Sequence, residues 1–118
     1  MTLSIAHVTI DCENAGAIAE FWSRLLETPI DPDPDPSPEF ATVGRTAGAT
    51  PVLMFIRVPD KNPGKNVIHL DLHASDRDEQ VGRAIELGAK HVGDFDEWGT
   101  KWTTLADPEG NLFDIAAE

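Results

Sequence analysis

The chain contains no tyrosine and a single cysteine, and its nine lysines and arginines face 21 aspartates and glutamates across 118 residues. One cysteine, Cys12, rules out an internal disulfide and fits a reducing compartment. The formal charge of −12 removes the basic face that a nucleic-acid partner needs. Long apolar runs are missing as well. Stretches such as Pro51 to Ile56 fall far short of the roughly 20 residues that span a bilayer, and no signal-peptide core follows Met1. The expectation is one cytoplasmic domain over residues 1–118, with no nucleic-acid or membrane partner and a small molecule as its ligand.

What is present is a repeat. The first half opens Ile5-Ala6-His7-Val8-Thr9-Ile10-Asp11 and the second Val67-Ile68-His69-Leu70-Asp71-Leu72-His73, so that His69 follows His7 by 62 residues. Glu39-Phe40-Ala41-Thr42-Val43 and Lys101-Trp102-Thr103-Thr104-Leu105 keep the same offset of 62 between Phe40 and Trp102. A repeat of this length implies two supersecondary units, module one at about 1–60 and module two at about 61–118, packed into one domain.

Within the first unit, residues 4–12 alternate. Ile5, His7, Thr9 and Asp11 fall on one side; Ala6, Val8, Ile10 and Cys12 fall on the other, which makes Cys12 a small buried apolar residue. Asn14 is the expected N-cap of a helix running to about Glu27, with Ile18, Phe21, Trp22 and Leu25 at helical spacing and Pro29 helping to stop it. Asp31 to Pro38 reads DPDPDPSP. Proline at every second position favours a stiff exposed loop and keeps the alternating carboxylates from wrapping a calcium ion. Strands are expected at Phe40–Val43 and Val52–Val58, and Asp60–Lys65 connects the halves.

The second unit repeats the order. A strand at Val67–His73 leads to a helix from about Asp76 to Leu87, with Ser75 and Asp78 as a capping box, Val81, Ala84 and Ile85 as the buried stripe, and Gly88 as the stop. Strands follow at about Lys90–Asp94, Trp102–Leu105 and Leu112–Ala116, the last two joined by a turn at Asp107–Asn111. The implied architecture is α+β, two tandem βαβββ modules with helices on one face of a cupped mixed sheet.

Strand phase then tells which side chains share the other face. His7, Thr9 and Asp11 point there from the first strand, His69, Asp71 and His73 from the second unit's first strand, and Asp114 from the last. Two imidazoles and one carboxylate form an open ligand set for iron, manganese, cobalt, nickel or zinc; hydrogen-bonded histidines and a solvated Asp114 are the plain alternative. Asp71 and His73 are candidates for orienting a ligand or moving a proton. Phe40, Trp98, Trp102 and Thr9 are candidate ligand contacts, because repeat-related aromatics can stack a flat molecule. His91 lies outside the pattern and reads as a surface residue.

The residues Ile5–Cys12, Phe21–Leu26, Val67–Leu72, Leu87–Ala89 and Ala106–Asp114 resemble the vicinal oxygen chelate superfamily, which includes glyoxalase I, bleomycin-resistance proteins and extradiol dioxygenases. The likeness is greatest to the small bacterial glyoxalase-like domain. It implies two βαβββ modules, frequent dimerisation, and metal ligands from the first and last strands of each module, carried here onto His7, His69 and Asp114. The first-module equivalent of Asp114 falls among Val52, Met54 and Ile56, all apolar. A fourth ligand is therefore missing, and with it a carboxylate that glyoxalase I chemistry uses. The tyrosine that extradiol dioxygenases place near their metal has no counterpart, and close small relatives often carry cysteine at the position of Asp114. Three functions remain open: a metal-dependent enzyme on a small oxygenated metabolite, a metal-free binding protein of the bleomycin-resistance type, and a non-catalytic partner domain.

Overall fold

The computed structural model describes residues 5–32, 39–59, 68–97 and 99–117. The greater part of the proline run, the connection between the halves, and Trp98 lie outside these residues. Backbone contacts divide the chain into two compact units, Met1–Lys61 and Asn62–Glu118. Among the described residues there are two helices and seven strands in two mixed sheets, an α+β fold with one βαβ-type module per unit.

In the first unit, β1 (Val8–Cys12) is followed by α1 (Ala15–Leu26), β2 (Phe40–Val43) and β3 (Leu53–Arg57), and the sheet order is β1-β3-β2. The crossover through α1 lets β1 lie parallel to β3, while β2 runs antiparallel to it. Asn14 caps α1 as expected: its side chain accepts the Ala17 N–H at 3.1 Å. The helix ends when Glu27 turns left-handed, so Pro29 is not its stop. Ile18, Ala19, Phe21, Trp22 and Leu25 are buried with Val43, Leu53 and Phe55, and each large side chain contributes roughly 1.5–3 kcal/mol by leaving water. Cys12 is buried in this layer.

Among the described residues, the module's remaining strand is represented by a bridge of Ile30 with Val43. Its flanks hold the pairing: the Asp31 N–H donates to Thr42 O, and the Gly44 N–H to Pro29 O. Asp31 is therefore more than the first residue of an exposed loop. Its carboxylate accepts from the Thr42 hydroxyl at 2.6 Å and from the backbone N–H groups of Arg45 at 2.9 Å and Thr46 at 2.6 Å. Partial burial is the largest single influence and opposes ionisation, but these hydrogen bonds together outweigh it and bring the carboxyl to about 2.

In the second unit, β4 (Leu70–Ala74), α2 (Arg77–Leu87), β5 (Lys90–Glu97), β6 (Thr100–Ala106) and β7 (Leu112–Ala117) form a sheet in the order β4-β7-β6-β5. β4 is parallel to β7, and the other pairs are antiparallel. Leu105, Phe113 and Ile115 form the buried layer under α2.

Two details of α2 differ from expectation. The N-cap is Asp76, which makes no side-chain cap bond; its carboxylate instead accepts from Gln80 Nε2, and Asp78 accepts from Arg77, so no capping box forms at Ser75. Of the expected stripe only Ala84 is buried, whereas Val81 is half-buried and Ile85 is exposed. Part of the helix's attachment is polar: Arg77 Nη1 donates at 3.0 Å to the hydroxyl of the buried Thr103, which donates at 2.7 Å to Asp94. Gly88 ends the helix at φ 122, a region that side chains avoid.

The turn between β6 and β7 is organised by Asp107. Buried at 3 % exposure, its carboxylate accepts from the N–H groups of Glu109 and Asn111 and from the Asn111 side chain.

The two modules share one register. Thr9 pairs with Met54 and Met54 with Thr42; Asp71 pairs with Asp114 and Asp114 with Thr104. Phe40 pairs with Ile56 as Trp102 pairs with Ala116. Of the three first-unit candidates, Met54 is thus the counterpart of Asp114, and a thioether stands where a second carboxylate would be.

Candidate metal centre

The parallel pairing of β4 with β7 sets Asp71 beside Asp114 on the sheet face opposite the buried layer of Leu105, Phe113 and Ile115. His69, immediately before β4, keeps the same phase. Its Nδ1 lies 3.2 Å from Asp71 Oδ1 and 3.6 Å from Asp114 Oδ2. One ligand atom from each of His69, Asp71 and Asp114 lies within 4.8 Å of the others. These donors are close enough to share one ion after small side-chain rotations.

Asp114 is the most sheltered of the three, with its side chain 19 % exposed against 70 % for Asp71. Its Oδ1 accepts the Thr104 hydroxyl at 2.6 Å from the neighbouring strand. That bond fixes the carboxylate plane and leaves Oδ2 turned toward His69. Two carboxylates beside one imidazole concentrate negative charge, and oxygen and nitrogen donors of this kind suit a divalent cation. The donor set therefore fits a metal ion.

Of the residues singled out from sequence, Asp71 joins His69 and Asp114 directly, and His73 lies two positions further along the same face of β4. His7 is half-buried just before β1 in the first unit, where the Val8 N–H donates to Val52 O. Thr9 and Phe40 are exposed in the same unit, and Trp98 lies outside the described residues. Trp102 is half-buried on β6.

Two contributors to this face escaped the sequence reading. Thr104 has the phase of Trp102 and was within reach of the alternation argument. Phe95 was not: it stacks on Trp102 with ring centroids 5.4 Å apart and planes at 19°, but a register shift between His91 and Gly93 breaks the simple alternation of β5. His91 is exposed, as its position outside the pattern implied, and its Nε2 lies 3.0 Å from Asp94 Oδ2. The Thr103 hydroxyl, then His91, hold the Asp94 carboxyl below its ordinary value.

No helix among the described residues is long and apolar enough to cross a membrane. Among curated proteins no sequence match was found. Solved structures with the same fold include a glyoxalase/bleomycin resistance protein/dioxygenase family enzyme from Burkholderia phytofirmans PsJN, 18 % identical over 98 % of each chain with a TM-score of 0.80. A member of the same superfamily from Sphaerobacter thermophilus DSM 20745 is 23 % identical over 100 % of both chains, at a TM-score of 0.72. A mutant of the fosfomycin resistance protein FosX from Listeria monocytogenes, complexed with manganese(II) and a dihydroxypropylphosphonic acid, is 12 % identical over 98 % of this chain and 90 % of that one, with a TM-score of 0.77. The sequence profile of the glyoxalase-like domain matches residues 7–116. With that match over nearly its whole length, the chain belongs to the glyoxalase-like domain family.

Proposed function

We propose that this protein is a metal-dependent enzyme acting on a small oxygenated molecule, with His69 and Asp114 as second-unit ligands and His7, the repeat partner of His69, as the first-unit ligand. His7 would come from the same chain or from a second copy in a homodimer, a state favoured by the need to cover sheet edges. The observation that carries the reading is the convergence of His69, Asp71 and Asp114 within 4.8 Å on one sheet face. The manganese(II) complex of the FosX mutant is a parallel for a chelated, oxygen-rich ligand on this fold.

An ion there would supply Lewis acidity toward a chelated substrate oxygen. The chain's own residues do the rest. Thr104 holds Asp114 in a fixed plane, Asp71 orients the His69 ring, and His73, on the same face, is assigned to proton movement as a general acid or base. Met54 at the position of a first-unit carboxylate argues against methylglyoxal isomerisation, which needs a carboxylate there.

The test is metal content by plasma mass spectrometry on untagged protein, with and without added iron, manganese, cobalt, nickel and zinc. Near-stoichiometric metal in the wild type and its loss in His69→Ala, Asp114→Ala and His7→Ala is the expected outcome. Protein that stays metal-free after reconstitution would overturn it. That result would favour the second reading, a metal-free small-molecule binder, for which the apolar Met54 and the exposed aromatics Phe40 and Phe95 are the supporting observations. Tryptophan fluorescence would then screen flat antibiotics and metabolites, and light scattering decides the dimer.

A further inference from the structure

Every residue of β5 except Gly93 is exposed. The strand is eight residues long and forms one edge of the second unit's sheet, whereas α2 lies mainly over β7 and β4. Long unpaired edges invite a second strand, and proteins ordinarily blunt them with proline, with charge or by shortening them. β5 contains no proline, and it exposes Val92 at 52 % and Phe95 at 41 %. Its charges therefore decide whether a second copy is repelled or attracted.

Opposite residues on antiparallel neighbours share a face. Pairing with β6 puts Lys90, Gly93, Phe95 and Glu97 on the face of Thr104, and His91, Asp94 and Asp96 on the face of Thr103. Val92 is the extra residue at the register shift between His91 and Gly93. Two copies of β5 laid antiparallel about a two-fold axis at Asp94 then match face for face. Gly93 stands opposite the partner's Phe95, His91 opposite the partner's Asp96, and Lys90 opposite the partner's Glu97. The extra residue is what brings the basic end of the strand into step with the acidic end. With the axis at Phe95, Asp94 would meet Asp96; with the axis at Gly93, Asp96 and Glu97 would run past the end of the partner's strand. The acid on the axis is one already held inside its own chain, since Asp94 accepts from Thr103 at 2.7 Å and lies 3.0 Å from His91 Nε2. Gly93 also leaves space at this point. A Cβ there would stand 3.2 Å from Cε2 and Cζ of Phe95, so the ring leans over the glycine, and the two Phe95 rings of a pair lie side by side.

We infer that β5 is a self-recognising edge, through which two copies of this chain join their second-unit sheets with Lys90 and His91 of each against Glu97 and Asp96 of the other. A contact of this isologous kind makes each pair twice. It uses no residue of the candidate metal centre and stands or falls apart from the metal reading.

Sedimentation velocity of the full-length protein over a dilution series at low ionic strength tests it, with hydrogen exchange of the β5 amides alongside. The wild type should dimerise, and exchange over 90–97 should slow as the concentration rises. Lys90→Glu and Glu97→Lys each turn two attractive pairs into repulsive ones, and each should weaken the dimer about tenfold or more. The double variant K90E/E97K restores both pairs with their signs exchanged and should regain wild-type strength. An equimolar mixture of the two single variants should do the same by forming a heterodimer. A dimer built on any other surface would show no such rescue. A wild type that is monomeric at every concentration overturns the inference and leaves the edge to a chain of different sequence. A dimer that neither reversal weakens, or one that is weakened without rescue, overturns it as well, because the contact then lies elsewhere or in another register.

Discussion

Asp71 and Asp114 stand directly opposite each other on adjacent parallel strands, their side chains on one face and both within 3.6 Å of His69 Nδ1. Like charges in this relationship destabilise a sheet, and a bound cation reverses the sign of the effect. Asp71→Asn should therefore raise the melting temperature of metal-free protein slightly, by up to about 3 °C. The same substitution should reduce the upward shift that a divalent metal produces in the wild type. Differential scanning calorimetry with and without manganese checks both halves, and a metal-induced shift that survives intact removes Asp71 from the centre.

Thr104 donates its hydroxyl to Asp114 Oδ1, while Oδ2 is the oxygen nearer His69. Replacing its hydroxyl by a methyl in Thr104→Val leaves the Asp114 carboxylate free to rotate. Metal affinity should fall about 10- to 100-fold, the usual effect of losing a partner that orients a ligand, with stoichiometry unchanged at saturating metal. Unaltered affinity in a competition titration would show that Asp114 needs no such support.

Asp31 links stability to acid. Its carboxyl ordinarily titrates at 3.8 and is held at about 2 in the folded chain, so the unfolded chain takes up the proton first. The stabilisation is complete above about pH 4 and fades as the pH falls toward 2. Allowing for solvent screening at this partly exposed group, it amounts to about 1–2 kcal/mol. Asp31→Asn should lose that amount at pH 7 and match the wild type below pH 2. Urea unfolding at several pH values gives the comparison, and parallel curves at every pH would exclude the linkage.

Asp107 is the buried acceptor around which the β6–β7 turn is built. In Asp107→Ala the N–H groups of Glu109 and Asn111 lose their acceptor, at a cost of about 1–3 kcal/mol. Because the turn leads into Leu112–Ala117, hydrogen exchange should speed up first at the start of β7. Metal affinity should fall along with it, since Asp114 lies two residues into that strand.

Much of the fold was legible from residue pattern because alternation and helical spacing are local properties. The offset of 62 between His7 and His69 made the repeat visible, and Asn14 announced its helix by a capping bond that spans three residues. Helix ends were less legible where polar groups compete. At α2 the side chain of Asp76 goes to Gln80, so the Ser75 box does not form. The stripe at Val81 and Ile85 failed for a related reason: the helix is tied down partly through Arg77 and Thr103, a contact between residues 26 positions apart.

The amino-acid order alone was enough to establish the repeat and the phase of His69, Asp71 and Asp114, since each follows from strand period and residue type; that a first-unit carboxylate is lacking is what the family resemblance implied. Only tertiary pairing decided that Met54 is the residue opposite Thr9, that Asp71 belongs with His69 and Asp114, and that Phe95 stacks on Trp102. Those facts depend on register between strands distant in sequence and on the shift between His91 and Gly93, and neither is encoded in the alternation of any one strand.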